Sequence, residues 1–334
     1  MDGVSWRQDI SQELDWLLPG AFLTFGLAAF SFYEMPRYGA ILPALLLLPL
    51  WLLASAALAG LIAAGSILRM MRKGVEHPIG HCFKFLRQNA KPLAFIGLSM
   101  TLAGLNMIAF MWVKPVLNYL VAFWADPYLA AADRQIFRTD PWHLLASLNV
   151  TPLAYFYHRG WFALMIIVLL RVLMSPPSPQ KSAILLTYFL LWSLFGPLLH
   201  CLIPAAGPVF YARLGYGDAF SGLAMEPETR RLADYLWRIY SDQTFGAGAG
   251  ISAMPSLHIA TTGWMVIATK QFAPRWILPM SAAGALIFLL SVSLGWHYAV
   301  DGIAGVVGAY AIWRASRAIL NARAVSIRPV TQSG

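Results

Sequence analysis

The sequence predicts an all-α membrane protein, a polytopic bundle of about eight transmembrane helices. Of its 334 residues, 59% are hydrophobic and only 12% are charged, whereas soluble domains carry about 25% charged residues. A hydrocarbon core about 30 Å thick needs roughly 20 apolar residues per helix. Apolar runs of about this length occur at 15–34, 40–68, 92–113, 153–174, 181–203, 252–270, 275–296 and 298–319.

The net charge of +9 is explained by orientation in the membrane, and no nucleic-acid partner is expected. Lysine and arginine collect on the cytoplasmic side of membrane proteins. Four segments, 69–91, 171–181, 270–275 and the tail from 314, hold 14 basic residues and one acid, Glu76. Eight spans place all four on one side, together with both termini. That side is predicted to be cytoplasmic, in a bacterial inner membrane.

The chain is expected to divide into three parts. Residues 1–91 hold two N-terminal transmembrane helices and a basic cytoplasmic loop, residues 92–319 form a six-helix core, and residues 320–334 form a basic cytoplasmic tail. Two external segments, 114–152 and 204–251, interrupt the core and face the periplasm or lumen.

The external segments are expected to contain short helices. Asp126-Pro127 and Asp140-Pro141 are typical helix starts, with aspartate as the cap and proline at the first helical position. The first segment therefore predicts amphipathic helices in the membrane interface, or else a loop packed on the bundle. In the second segment, residues 226–240 predict a further short helix.

No disulfide, metal site or cofactor is expected. Cys82 and Cys201 are predicted to lie on opposite sides of the membrane. His77 and His81 are four residues apart, but Pro78 lies between them and no third ligand accompanies them.

Two polar stretches at the outer ends of apolar runs contain the candidate catalytic residues. These are ISAMPSLHIATTGW at 251–264, with His258, and GWHYAVDGIAG at 295–305, with His297 and Asp301. Ionisable side chains are expensive in a bilayer and usually mark function there. Because His297 and Asp301 are four residues apart, they share one helical face. The carboxylate is expected to accept a proton from one ring nitrogen and leave the other nitrogen basic.

This set of residues suits phosphoryl transfer. The predicted topology places His258 and His297 in the same outer half of the membrane. One histidine can attack phosphorus while the other donates a proton to the leaving oxygen. Ser256 and the N–H groups at the start of its helix are candidate phosphate ligands, although Ser256 could instead be only a helix cap.

The pair PSLH (255–258) and HYAVD (297–301) resembles the second and third signature motifs of the type-2 phosphatidic acid phosphatase superfamily, Pro-Ser-Gly-His and His-x-x-x-Asp. The leucine in place of glycine and the tyrosine after His297 are closer to the inositol-phosphorylceramide synthase branch, an inositolphosphotransferase. The resemblance covers residues 92–319. It implies a six-helix core, metal-independent chemistry through a phospho-histidine, His297 as nucleophile, Asp301 as its orienter and His258 as general acid.

The chain also departs from the pattern that it resembles. The Lys-x6-Arg-Pro motif of the phosphatases is missing from HCLIPAAGPVFYAR at 200–213, and Leu290-Ser291 stands where the third motif opens with Ser-Arg. Both usual phosphate-binding arginines are therefore absent. Arg213, with Tyr211 nearby, is the candidate replacement, and a solvated loop charge is the alternative for Arg213.

The expected function is that of an integral membrane lipid phosphatase or phosphotransferase, with head-group transfer from a lipid phosphoester to an alcohol acceptor. The alternative is a lipid phosphate or polyprenyl pyrophosphate phosphatase with water as acceptor. The expected partners are thus a membrane lipid and a lipid or polyol alcohol or water, and the oligomeric state is not predicted. A transporter with a His/Asp proton relay is less consistent with the sequence, which has no inverted repeat. A catalytically dead scaffold would not need the intact histidines and aspartate.

Overall fold

The computed structural model describes residues 10–39 and 47–326, and these residues form helices and connecting loops without any β-strand. The all-α fold class is therefore confirmed. The N-terminal part contains α1 (Ile10–Glu34), α2 (Leu47–Arg72), α3 (Pro78–Gln88) and α4 (Ala90–Leu120). Residues 40–46, at the start of the second predicted span, lie outside the described residues, as do 327–334 of the predicted tail.

The middle of the chain contains two long helices, each interrupted by one π-helical turn. The turn Phe156–Gly160 joins α7 to α8, and the turn Leu191–Phe195 joins α9 to α10. The elements of this part are α5 (Asp126–Phe137), α6 (Pro141–Leu144), α7 (Thr151–Tyr155), α8 (Trp161–Leu173), α9 (Pro179–Leu190) and α10 (Gly196–Leu202). The last part contains α11 (Pro227–Ser241), α12 (Leu257–Phe272), α13 (Ile277–Ser293) and α14 (Ala299–Ser326).

Seven described helices are long and apolar enough to cross a membrane, so the chain is an integral membrane protein. They cover Glu13–Tyr38, Leu47–Arg72, Ala90–Leu120, Thr151–Leu173, Pro179–Leu202, Pro274–Ser293 and Ala299–Arg323. The predicted span 252–270 is shorter than expected, because residues 251–256 form a loop and α12 has only 16 residues. At 1.5 Å per residue, α12 is about 24 Å long.

The first helix is an integral part of the bundle, since α1 packs against α4 and α9. Glu13 on α1 and Lys181 on α9 form a fully buried ion pair, with Nζ 2.5 Å from Oε1. The indole of Trp16 donates to the other carboxylate oxygen. Lys181, expected among the cytoplasmic loop charges, is therefore inside the protein. Removing one partner of such a pair typically costs about 3–5 kcal/mol of stability.

The short helix α12 has a central position, in contact with α8, α9, α13 and α14. Trp264, in its middle, is fully buried and donates its indole N–H to the carbonyl of Ile184 on α9, at 2.8 Å. His258, in the first turn of α12, is therefore on a helix that other helices surround on several sides.

Both external segments lie at the end of the bundle where α13 ends and α14 begins, called here the site end. Asn149 donates to the carbonyl oxygens of Ala224 (2.6 Å) and Ser293 (3.1 Å), which ties the first segment to the second and to α13. The hydroxyl of Ser293 donates to the carbonyl of Leu145. Segments remote in sequence are therefore fixed beside the N-terminus of α14.

The predicted short helices are present, but their caps differ from expectation. Glu226 caps α11, its carboxylate accepting from the N–H groups of Glu228 and Thr229. Asp140 precedes α6 but makes no side-chain cap and instead pairs with Arg134, Oδ1 to Nε 2.7 Å. Asp126 is the first residue of α5, and its side chain is buried away from its own helix end.

Candidate active site

The two motif stretches meet at the site end, where α12 and α14 begin side by side. The backbone N–H of Ser256 points to the carbonyl oxygen of Asp301, at 3.4 Å. Gly305 makes this approach possible, because a Cβ there would lie 2.8 Å from the carbonyl oxygen of Ser256. The structure therefore places the start of α12, with His258, beside the start of α14, just after His297.

The ring of His297 is fixed by the loop that precedes α12. Its Nδ1 lies 2.8 Å from the carbonyl oxygen of Ala253. A carbonyl only accepts hydrogen bonds, so Nδ1 must carry the hydrogen. Nε2 of the neutral ring then has a free lone pair, which is the form that a nucleophile requires. His297 is 5% exposed, so this nitrogen is largely shielded from bulk water.

Asp301 does not hold the ring of His297 in the way the sequence predicted. Its Oδ2 is 3.7 Å from Nδ1, beyond hydrogen-bond distance, and accepts instead from the backbone N–H of Tyr298 at 2.9 Å. The carbonyl oxygen of Ala253 accepts the hydrogen bond that Asp301 was expected to accept. Asp301 is fully buried, and its Oδ1 finds no partner within the described chain. Its influence on His297 is therefore electrostatic.

His258 is held by aromatic residues of the neighbouring helix. Its ring stacks on Tyr157, with centroids 5.0 Å apart and planes 16° apart, and lies 4.2 Å from the ring of Trp161. The indole N–H of Trp161 donates to the backbone carbonyl of His258 at 3.0 Å. The side chain is half-buried and its orientation is defined by these contacts.

Ser256 takes the role of helix cap that the sequence left as an alternative. It is fully buried, and its Oγ accepts from the N–H of Ile259 at 3.3 Å. The hydroxyl of Ser256, the last residue of the loop, thereby stabilises the first turn of α12.

The structure does not bring Arg213 to the histidines as a free cation. Its guanidinium forms an ion pair with Asp234 on α11 and lies 5.8 Å from the ring of Trp237. Tyr211 is buried and packs against Tyr216, with ring centroids 5.5 Å apart. Tyr211 belongs to the same apolar cluster as Tyr298, the neighbour of His297, so it packs behind the site.

Sequence reasoning missed a third histidine near the pair. The π-helical turn between α7 and α8 places the ring of His158 edge-on to His258, at 6.4 Å between centroids, and to Trp296, at 5.7 Å. Single π-helical turns occur frequently at functional sites. The signal in the sequence was the polar stretch FYHRG (156–160) at the outer end of an apolar run.

Two aspartates of the external helix α5 hold the site together. Asp126 accepts from the N–H groups of Ala206 and Gly207 and from the hydroxyl of Tyr298, at 2.8 Å. Asp133 accepts from the N–H groups at the start of α14. The two carboxylates are seven residues apart on one helical face, a spacing that the sequence shows but whose partners only the fold provides.

The pH dependence of stability should report on Asp133. Burial raises the pKa of its carboxyl to about 6, although the N–H groups of Ala299 and Val300 oppose the shift. An unfolded aspartate titrates near pH 3.9, so the folded chain binds more protons between about pH 4 and 6. The stability contributed by Asp133 is therefore largest below pH 4 and decreases as the pH rises to 6.

We expect the free energy of unfolding to fall less over this window in Asp133→Asn than in the wild type, by about 3 kcal/mol. Thermal unfolding in detergent at pH 4, 5, 6 and 7 measures the difference. The exposed Asp218→Asn is the matched control and should follow the wild type. Parallel profiles for the wild type and Asp133→Asn would contradict the assignment.

An apolar cavity of about 560 Å³ lies between α12, α13 and α14. It begins at Ile259, directly after His258, and extends along the helices to Ile267 and Tyr310. Ala285 and Phe288 of α13 form part of its wall. Leu289, Val306 and Tyr310 on its wall are exposed, so the cavity is open toward the outer surface of the helix bundle.

Within the described part of the chain, no group of three or more His, Cys, Asp or Glu side chains is arranged to hold a metal ion. Cys82 on α3 and Cys201 on α10 are both free.

Comparison with known proteins adds one finding. A family model described as the PAP2 superfamily matches residues 131–315, more than half of the chain and including both histidine motifs. No match was found among curated proteins or among solved structures.

Proposed function

Because the chain belongs to the PAP2 superfamily, we propose that it is a membrane enzyme that transfers the phosphoryl-containing group of a lipid phosphoester through a phospho-histidine. The observation that carries the proposal is the state of His297. Its Nδ1–H is bound by the carbonyl of Ala253, which leaves Nε2 free to attack, and His258 lies close by on α12. We propose an alcohol as the preferred acceptor, as in an inositol-phosphorylceramide synthase.

In the first step, the lone pair of His297 Nε2 forms a bond to phosphorus and the bond from phosphorus to the leaving oxygen breaks. Protonated His258 gives its proton to that oxygen. The ring of His297 keeps its Nδ1 hydrogen and becomes positively charged. The buried carboxylate of Asp301, 3.7 Å from Nδ1, stabilises this charge.

In the second step, an acceptor hydroxyl attacks phosphorus and His258, now neutral, takes its proton. The bond between phosphorus and Nε2 breaks, so that neutral His297 and protonated His258 are restored. Water as acceptor would release the phosphoryl group as phosphate, and an alcohol would give a new phospholipid. The low exposure of His297 favours an acceptor that enters from the membrane, because bulk water has little access.

We propose that the site end faces the periplasm or lumen and that both termini are cytoplasmic. The basic residues of α3 and of its flanking loops support this orientation, since lysine and arginine favour the cytoplasmic side. A reporter fused to the C-terminus tests it. A periplasmic signal from that reporter would invert the orientation.

Purified protein in detergent tests the proposed reaction. Phosphatidic acid, a polyprenyl pyrophosphate and phosphatidylinositol are offered separately, each with and without ceramide or diacylglycerol. Free phosphate and new lipid species are measured together. New phospholipid that depends on an acceptor supports head-group transfer, and phosphate release without one assigns a phosphatase. Retention of every substrate unchanged would refute both.

The apolar cavity between α12, α13 and α14 should accommodate a lipid chain. Ala285→Phe would fill part of it without contacting the histidines. We expect the ratio of kcat/KM for dioctanoyl over dioleoyl substrate to rise about tenfold or more, since small displacements of a bound substrate have effects of this size. Ala282→Phe, at an exposed alanine of the same helix that does not line the cavity, is the control. An unchanged ratio in Ala285→Phe would exclude the cavity.

A further inference from the structure

The site needs positive charge for a phosphate group, and the arginine proposed from the sequence, Arg213, already pairs with Asp234. A phosphoryl group in transfer carries negative charge on its non-bridging oxygens, and enzymes stabilise it with fixed cations and hydrogen-bond donors. Such groups should therefore be found elsewhere around His258.

Lys114, on α4, lies beside the loop that holds His297. Asn118, one turn further along α4, bonds to the backbone of Ile251, and Ala253 of the same loop accepts from Nδ1 of His297. Among the described residues, no carboxylate lies within 4.0 Å of Nζ of Lys114. By contrast, Lys181, the other lysine inside the bundle, is paired with Glu13. A partly buried cation in a membrane helix is costly unless it meets a negative charge.

The glycine-rich loop before α12 is shaped around Lys114. Gly250 has a φ of +93°, and a Cβ there would lie 2.7 Å from Cγ of Lys114 and 2.9 Å from the backbone nitrogen of Pro115. Only glycine allows this contact. Gly250 therefore lets the loop pack directly against the stem of Lys114.

Trp296 supplies a buried donor without a partner, and His158 supplies a second one in the tautomer that carries the hydrogen on Nε2. Nε2 of His158 and Nε1 of Trp296 are both buried and form no hydrogen bond within the described chain. Orphaned indole groups also occur at Trp112 and Trp142, so one such group identifies nothing. Here the two rings touch each other, with centroids 5.7 Å apart, and Trp296 adjoins the nucleophile in sequence.

We propose that Lys114 and His158, assisted by the indole N–H of Trp296, bind the non-bridging oxygens of the substrate's phosphoryl group in place of the missing arginines. This inference rests on the proposed function and assigns its phosphate-binding residues. Lys114 contributes charge as a compact ammonium group. His158 and Trp296 contribute directional hydrogen bonds.

Binding of orthovanadate, a tetrahedral oxyanion, to purified protein in detergent tests the proposal without a turnover assay. We expect Lys114→Met and His158→Phe each to raise the Kd for vanadate by about 10- to 100-fold, the range expected for a lost hydrogen bond to a charged group. His158→Gln, whose amide nitrogen can replace Nε2–H, should recover most of the affinity. Turnover of the lipid substrate should fall in Lys114→Met and His158→Phe and fall less in His158→Gln.

Two exposed residues provide matched controls. Lys91→Met lies at the other end of α4, and His81→Phe lies on α3. Both should bind vanadate as the wild type does. The melting temperature without ligand verifies folding, and Lys114→Gln and His158→Asn replace any variant that fails to fold.

The results separate this inference from the proposed function. If the wild type turns over lipid and binds vanadate, but the Lys114 and His158 variants stay within twofold of it, only the phosphate-binding assignment is overturned. If the wild type neither binds vanadate nor changes any lipid, the proposed function itself fails. Loss in the controls equal to that in the test variants would also overturn the assignment.

Discussion

His297→Ala should reduce turnover by at least about 10⁴-fold, because it removes the atom that bonds to phosphorus. Loss of a nucleophile in a covalent mechanism has effects of this size or larger. The substitution leaves a small cavity and frees the carbonyl of Ala253, which now accepts from Nδ1, so stability should decrease only moderately. The measurement is initial rate in detergent, with the melting temperature as a check on folding.

A second readout distinguishes a nucleophile from a binding residue. Wild-type protein stopped during turnover of ³²P-labelled lipid should carry acid-labile label, and His297→Ala should carry none. The exposed His81→Ala on α3 is the matched control and should be labelled normally. A folded His297→Ala variant with activity within tenfold of the wild type would exclude the covalent mechanism.

Asp301→Asn should reduce turnover by about 10³-fold. At 3.7 Å from Nδ1, a carboxylate stabilises a positive imidazole ring by about 4 kcal/mol at an effective dielectric constant of about 20. Each 1.36 kcal/mol corresponds to a factor of ten in rate. The ground-state tautomer is held by Ala253, so the loss should appear in kcat with KM nearly unchanged.

The structure predicts a different outcome from a residue that fixes the tautomer. If Asp301 held the Nδ1 hydrogen, the asparagine would favour the other tautomer of His297, and only a small fraction of the protein would have a free lone pair on Nε2. With Ala253 in that role, Asp301→Asn should still form a phospho-histidine, but slowly, and rapid-quench kinetics would detect it. A decrease of less than tenfold would remove Asp301 from the active site.

Much of the fold followed from local patterns. The apolar runs identified the membrane helices because each run alone must shield its backbone from lipid. The helix starts near Asp126 and Glu226 were recognisable because a proline, Pro127 or Pro227, favours the first turn of a helix. The length of α12 was not predictable, because residues 251–256 are apolar enough for a helix but serve as a loop against His297.

For the candidate active site, too, local patterns identified the residues but not their partners. The PSLH and HYAVD stretches were conspicuous because polar residues interrupt apolar runs. The expectation that His297 and Asp301 share one helical face was wrong, because His297 lies in the turn before α14, which begins at Ala299. The sequence favoured a hydrogen bond between those two side chains and left Arg213 as a phosphate ligand or a solvated loop charge. In the fold, the carbonyl of Ala253 accepts the hydrogen bond from Nδ1, and Asp234 pairs with the arginine. Each partner comes from a distant part of the chain.

The local sequence patterns were enough to identify a helical membrane protein with two histidines and an aspartate near the ends of its last helices. The groups around them came from the fold: Ala253 against His297, Asp133 at the start of α14, and His158 beside His258. The difference lies in the distance along the chain over which each interaction acts. Apolar periodicity and helical spacing act over a few residues, whereas hydrogen bonds and charges in the assembled site join residues more than 40 positions apart.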